Sequence, residues 1–198
     1  MTTYDIYLVG VGGQGVLTIG EIIAETAFRA GTPVNFYPTK GMAQRGGFVK
    51  AQLRLGRATP GPAIPEGGAD LVIATEVSEA LKAVKFVKPG GDFVLFAYVW
   101  APTAVMLGKA SYPALDAVLE QVAAAGARAV VIDPDKLPLY EGQPAPDNVY
   151  TLGVAAAQTR LGEVVSPAAM ANVIATRWKR GAERNLFAFN AAAAVPVP

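Results

Sequence analysis

Ten residues near the start of the chain, Val9-Gly10-Val11-Gly12-Gly13-Gln14-Gly15-Val16-Leu17-Thr18, carry the types and spacing of an anion-binding turn. Glycines at 10, 12 and 15 follow the G-x-G-x-x-G pattern, with an additional Gly13. An apolar run, Ile6–Val9, precedes them and a helical pattern to about Arg29 follows. A tight strand-to-helix turn requires positive φ and no side chains. The new helix then points N–H groups without intrahelical acceptors at whatever sits in front of it. The chemistry would be the cradling of a phosphate. The alternative is a close β–α turn that binds nothing.

A second unusual stretch is Tyr37-Pro38-Thr39-Lys40-Gly41-Met42-Ala43-Gln44-Arg45-Gly46-Gly47. Gly41, Gly46 and Gly47 let another surface approach the backbone, and Lys40 and Arg45 supply two cations. In an open α/β sheet, loops at the carboxyl ends of strands build the crevice, so this loop and Gly10–Gly15 should be neighbours. The stretch reads either as a basic lip beside the glycine cradle or as a solvated loop with two surface charges. Glu76, just after an apolar strand pattern, faces the same crevice or caps a surface helix. Asn148, after a proline-rich stretch, reads as a helix N-cap more readily than as a ligand contact.

Absences narrow the chemistry further. The chain has no cysteine, hence no thiolate nucleophile and no cysteine-ligated iron–sulfur cluster. It has no histidine, which removes the usual general base and the commonest metal ligand. A dinucleotide site of the usual kind needs an acidic residue at the end of the second strand, and Val34-Asn35-Phe36-Tyr37 holds none. The near balance of 17 basic and 16 acidic residues, net +1, gives no steering toward nucleic acid or an anionic membrane. No apolar run is long enough to span a bilayer, and the N-terminus reads as a strand rather than a signal peptide, so the expected location is cytoplasmic.

The elements that must hold these loops alternate between strand and helix patterns. Strands are expected at Asp5–Val9, Val34–Tyr37, Phe48–Leu55, Asp70–Ala74, Asp92–Tyr98 and Arg128–Ile132. Helices are expected at Gly15–Arg29, from Ser78 to about Phe86, and at Pro113–Ala125. Phe48–Leu55 alternates, with Val49, Ala51, Leu53 and Leu55 on one face and Lys50, Gln52 and Arg54 on the other, as in a half-wet strand at or near a sheet edge. Thr59–Gly68 and Pro134–Pro146 are proline-rich and read as loops. From about residue 147 the pattern turns helical: Asn148–Leu161, Pro167–Arg177 and Gly181–Ala191, with a frayed tail over 191–198. The expectation is one α/β domain over 1–198: a Rossmann-like, open, mostly parallel sheet with helices on both faces and a C-terminal helical group.

Taken together, the two loops are specific. Gly10-Val11-Gly12-Gly13-Gln14-Gly15-Val16 followed by Met42-Ala43-Gln44-Arg45-Gly46-Gly47 resembles the gamma-type subunits of 2-oxoacid:ferredoxin oxidoreductases. It is closest to the beta-subunit variety of the indolepyruvate enzymes, in which Gln-Arg-Gly-Gly follows Gly-Met-Ala. Leu107–Pro113, Asn148 to Gly153 and Asn185–Phe189 agree, and the resemblance runs from about Tyr4 to Ala191.

The resemblance implies a complex that converts a 2-oxoacid and coenzyme A to acyl-CoA and carbon dioxide. Electrons leave to ferredoxin or another acceptor. Thiamine diphosphate, magnesium and iron–sulfur clusters are implied in partner subunits. This chain would complete the site and could bind coenzyme A through Gly10, Gly12, Gly13, Gln14, Gly15, Lys40, Gln44, Arg45, Gly46 and Gly47; no catalytic or metal-ligating residue is implied in it. Phe96–Pro102 departs from the more polar stretch of the family. Its aromatics read as a partner interface or as the lining for an aromatic acid such as indolepyruvate or phenylglyoxylate. A stand-alone nucleotide-binding module and a purely structural subunit are the competing functions.

Overall fold

Apolar residues at alternate positions of β1 (Tyr4–Val11) make it the spine of the sheet. Tyr4, Ile6 and Leu8 enter the core on one side, Tyr7 and Val9 on the other. The computed structural model describes residues 2–40, 47–58 and 61–193. The strands that follow are β2 (Val34–Lys40), β3 (Phe48–Leu55), β4 (Ala69–Ala74), β5 (Val87–Phe96) and β6 (Arg128–Ile132). They form one six-stranded sheet in the order β2-β3-β1-β4-β5-β6. β1, β4, β5 and β6 are mutually parallel, and β3 runs antiparallel to both of its neighbours.

Helix α1 (Val16–Arg29) crosses the first face of the sheet, burying Val16, Ile19, Ile22, Ile23 and Ala27. On the same face lie α5 (Asp147–Gln158), the short α6 (Leu161–Val164), α7 (Pro167–Arg177) and α8 (Ala182–Ala192). The second face is covered by α2 (Val77–Ala83) and α4 (Leu115–Ala124), through Ala80, Val118 and Val122. Between β5 and α4 a four-residue helix, α3 (Thr103–Met106), lies in an otherwise irregular segment. A small hairpin, β7 (Leu139–Tyr140) with β8 (Gln143–Pro144), occupies the proline-rich stretch before α5. Among the described residues no helix is long and apolar enough to cross a membrane.

The open, mostly parallel sheet with helices on both faces is as expected, and the element boundaries differ where proline and glycine misled. β2 continues through Pro38 to Lys40 because it is an edge strand, where a residue without an N–H costs no ladder bond on the open side. β5 starts at Val87 rather than at the expected Asp92, running through Pro89-Gly90-Gly91. The expected long helix Asn148–Leu161 is two, because Thr159 turns extended and breaks it. The polar face of β3 is not wet. The chain after β3 folds over it, so Gln52 Oε1 accepts the Ile64 N–H at 2.6 Å and Arg54 donates to the carbonyls of Gly61 and Ala63. The expected frayed tail lies partly outside the described residues, and α8 itself extends to Ala192.

Candidate functional site: the glycine turn at the carboxyl edge of the sheet

β1, β4 and β5 deliver Val11, Ala74 and Phe96 to one edge of the sheet, where β3 begins. The glycine turn leaves this edge. Gly10 is required by contact: a Cβ there would stand 1.9 Å from Thr75 Oγ1 and 2.8 Å from Val16 Cγ2. Gly15 sits at φ 66°, ψ 22° and serves as the N-cap of α1 without a side chain to cap it. The first N–H groups of α1, at Val16, Leu17 and Thr18, therefore have neither an intrahelical acceptor nor a capping oxygen from the N-cap residue. Gly13, at φ 103°, is exposed, and a Cβ there would meet nothing within 4 Å. An uncapped helix start behind an open glycine carries roughly half a positive charge and fits a phosphate-sized anion.

Gln14 shapes this turn. Its Oε1 accepts from the Val11 N–H at 3.0 Å and from Thr75 Oγ1 at 2.7 Å, and its Nε2 donates to the Thr75 carbonyl at 2.8 Å. The side chain thus staples the turn to the end of β4. Gly12 donates its N–H to the Gly47 carbonyl at 2.7 Å, which joins the turn to the residue before β3. The two loops expected to be neighbours meet through this bond. Gln44, Arg45 and Gly46 lie outside the described residues, as do Gly41, Met42 and Ala43, and Lys40 ends β2.

Glu76, one residue beyond the staple, is fully buried and caps α2 from inside the protein rather than at its surface. Oε2 accepts from the Glu79 N–H at 2.8 Å and from Ser78 Oγ at 2.7 Å. Oε1 accepts from the Trp100 N–H at 3.1 Å and from the Tyr112 hydroxyl. Four donors satisfy the carboxylate without a cation, and they tie the segment 97–113 to the same edge of the sheet. Burial, and next the bond to Glu76, push the Tyr112 phenol well above its usual range. The tied segment exposes Val99, Trp100, Met106 and Leu107.

Asn148 is not an N-cap. Pro146 holds that position in α5, and Asn148 is the second helical residue, its own N–H donating to Asp147 Oδ1 at 2.7 Å. Its side chain lies over the glycine turn, where a Cβ on Gly15 would stand 2.2 Å from Asn148 Nδ2. Burial raises the Asp147 carboxyl, and the two N–H groups it accepts partly offset this.

The structure therefore brings together Gly10, Gly12, Gly13, Gln14, Gly15 and Gly47, and adds Thr75 and Asn148. Thr75 had no signal beyond its place after a buried strand. Asn148 had been placed on the right helix start but given a capping role. Among the described residues no group of three or more acidic side chains could hold a metal ion, and the chain has no cysteine with which to ligate a cluster.

The chain matches the family model described as pyruvate ferredoxin/flavodoxin oxidoreductase over residues 5–195. It is 39% identical over 150 residues to the indolepyruvate oxidoreductase subunit IorB of Archaeoglobus fulgidus, covering 76% of this chain and 74% of that one. The pyruvate oxidoreductase subunit PORC of Thermotoga maritima superposes with a TM-score of 0.70 at 19% identity, over 98% of this chain and 96% of that one. The 2-oxoglutarate:ferredoxin oxidoreductase of Magnetococcus marinus, solved with 2-oxoglutarate, coenzyme A and succinyl-CoA bound, superposes with a TM-score of 0.59 at 21% identity. There the whole of this chain matches 32% of the longer one. With a family match over nearly its whole length and a relative this similar, the chain belongs to the pyruvate ferredoxin/flavodoxin oxidoreductase family.

Proposed function

We propose that this chain is the gamma-type subunit of a cytoplasmic complex that oxidises an aromatic 2-oxoacid with coenzyme A. The products are an acyl-CoA, carbon dioxide and two electrons for ferredoxin or a similar acceptor. Thiamine diphosphate with magnesium, held by a partner subunit, supplies the decarboxylation, and iron–sulfur clusters in partner subunits take the electrons. This chain's own part is binding and closure. The N–H groups that open α1 receive a phosphate of coenzyme A over Gly13, and the Gln14–Thr75 staple fixes the turn that presents them. The apolar segment around Trp100 meets a partner.

The observation that carries this reading is the uncapped α1 N-terminus, open over Gly13 at the carboxyl edge of the sheet, in a chain of this family. The relative named for indolepyruvate makes that acid the first substrate to test, with phenylglyoxylate second.

The test is reconstitution. The chain is co-expressed with its thiamine-bearing partner, purified through a tag on this chain, and assayed for acceptor reduction with indolepyruvate and coenzyme A. The complex should turn over only with both substrates, and the isolated chain should not turn over at all. A partner that is fully active without this chain would overturn the proposal, as would a chain that leaves native extracts alone and monomeric.

A further inference from the structure

We infer that β6 is an interface strand: its open edge pairs antiparallel with the β6 of a second copy of this chain and joins the two six-stranded sheets into one. The inference concerns the flank of the sheet and does not depend on what the glycine turn binds.

The backbone sets the geometry. β6 pairs with β5 from Arg128 to Ile132 without a shift in register. The Ile132 carbonyl accepts the Ala97 N–H at 2.9 Å and therefore points toward β5. Backbone groups alternate in direction along a strand, so Arg128 and Val130 point the same way, and Ala129 and Val131 turn their N–H and C=O groups outward. Among the described residues no hydrogen bond reaches those outward groups. The two residues are also the accessible ones of the strand's second half: Val130 and Ile132 are buried, Ala129 is half-buried and Val131 is 42% exposed.

The two edges of the sheet differ in how they are guarded. β2, at the far edge, carries Pro38 and ends in Lys40, both of which discourage a further strand. The outward residues of β6 are an alanine and a valine, with no proline, charge or bulge among them. An apolar edge left in this way is a template for another strand.

A second copy fits it because the sequence Arg128-Ala129-Val130-Val131-Ile132 is self-complementary about its middle. Antiparallel residues exchange both of their hydrogen bonds only when each faces the other. A two-fold axis through Val130 sets Ala129 of one copy against Val131 of the other, and the reverse, so every outward group of both strands is paired. Val131 covers its exposed surface on that alanine. The charges agree with this direction. At the amino end of β6, Arg128 and Arg160 border one hollow around the single carboxylate of Asp92. At the carboxyl end stand Asp133 and Asp135 with one lysine, Lys136. Antiparallel pairing lays the cationic end of each strand beside the acidic end of the other, whereas parallel pairing would oppose acid to acid. The axis stands perpendicular to the sheet, so the two carboxyl edges point in opposite directions and each glycine turn stays open.

The chain has no cysteine, so a single introduced one reports the register. Val130 lies opposite its own copy in a non-hydrogen-bonded pair, where Cα atoms stand about 4.5 Å apart, within reach of a disulfide. Val130→Cys in the full chain should therefore give a covalent dimer under mild oxidation. Val131→Cys should not, because its Cα would stand about 8–9 Å from its own copy. Val131→Lys alters only an exposed side chain and should raise the dimer dissociation constant about tenfold or more by sedimentation equilibrium. Failure of Val130→Cys to crosslink would overturn the inference, whatever the mass of the native chain. Crosslinking at 131 in place of 130 would also overturn it, as would a native chain that sediments only as a monomer. Loss of the thiamine-bearing partner from the assembled complex of Val131→Lys would assign this edge to that subunit and overturn it equally.

Discussion

The two ends of the sheet are built from different chemistry. At the amino edge, carboxylates are matched by cations. Asp5, 3% exposed at its side chain, takes Arg54 at 2.9 Å and Arg57 at 3.1 Å; Asp92 takes Arg128 at 2.8 Å; Asp70 takes Lys88. At the carboxyl edge the buried carboxylate, Glu76, is held by neutral donors, and the turn beside it is stapled by an amide and a hydroxyl. The amino edge is electrostatically closed, with its charges spent on one another. The carboxyl edge has satisfied its structural needs with neutral groups and, among the described residues, keeps the positive end of α1 unspent. An edge closed by ion pairs holds strands together, whereas an edge left with directed N–H groups can hold a ligand.

Substitutions at the two ends should therefore separate stability from binding. The largest stability effect is expected for Asp5→Ala, which leaves Arg54, 12% exposed at its side chain, without its carboxylate. Breaking a buried pair costs about 3–5 kcal/mol, with less charged to the more exposed Arg57. Urea denaturation should register that loss, while coenzyme A affinity of the surviving complex stays the same. A fall in affinity equal to that of a variant in the turn would erase the contrast between the edges.

Glu76→Gln should come next. A glutamine keeps one accepting oxygen for four donors, so about 1–3 kcal/mol should go with each donor left bare. The segment 97–113 should loosen with it. Limited proteolysis should cut near Trp100 faster in the variant, and an unchanged cleavage rate would show that Glu76 does not tie the segment down.

The smallest effect is that of Asp147. Burial raises its folded pKa above the ordinary carboxylate value, so its protonated form is the one the fold prefers. Its contribution to stability is then complete below the unfolded pKa and is lost as pH rises through the folded one. Asp147→Asn cannot ionise, so thermal melting of the variant relative to the native chain should improve as pH rises from 3 to 7. A difference independent of pH would mean that the carboxyl is not desolvated.

Most of the fold, and part of the site, was legible from the residues. The glycine spacing located the turn because its causes are local: positive φ at Gly13 and Gly15, and the crowding of Gly10. The alternation in Phe48–Leu55 was read correctly as a strand. Its polar face was read as wet because the cover, the chain around Ile64, comes from a loop whose path no periodicity encodes. The antiparallel direction of β3 likewise depends on a short connection rather than on its own residues. Glu76 divided evenly between crevice and surface cap because capping was visible, whereas burial depended on Trp100 and Tyr112 arriving from far along the chain. Asn148 was misread for the same reason: its contact with Gly15 spans the length of the domain.

The most direct test of the anion site is a coenzyme A titration of the assembled complex carrying Thr18→Asp. Thr18 is the third residue of α1, and a carboxylate there is favourable to the helix by about 0.3–1 kcal/mol. It also places a like charge where the phosphate would bind. The account predicts a complex that melts no lower than the native one and binds coenzyme A about tenfold or more weakly, with pantetheine unaffected. Native affinity for coenzyme A in that variant would contradict it.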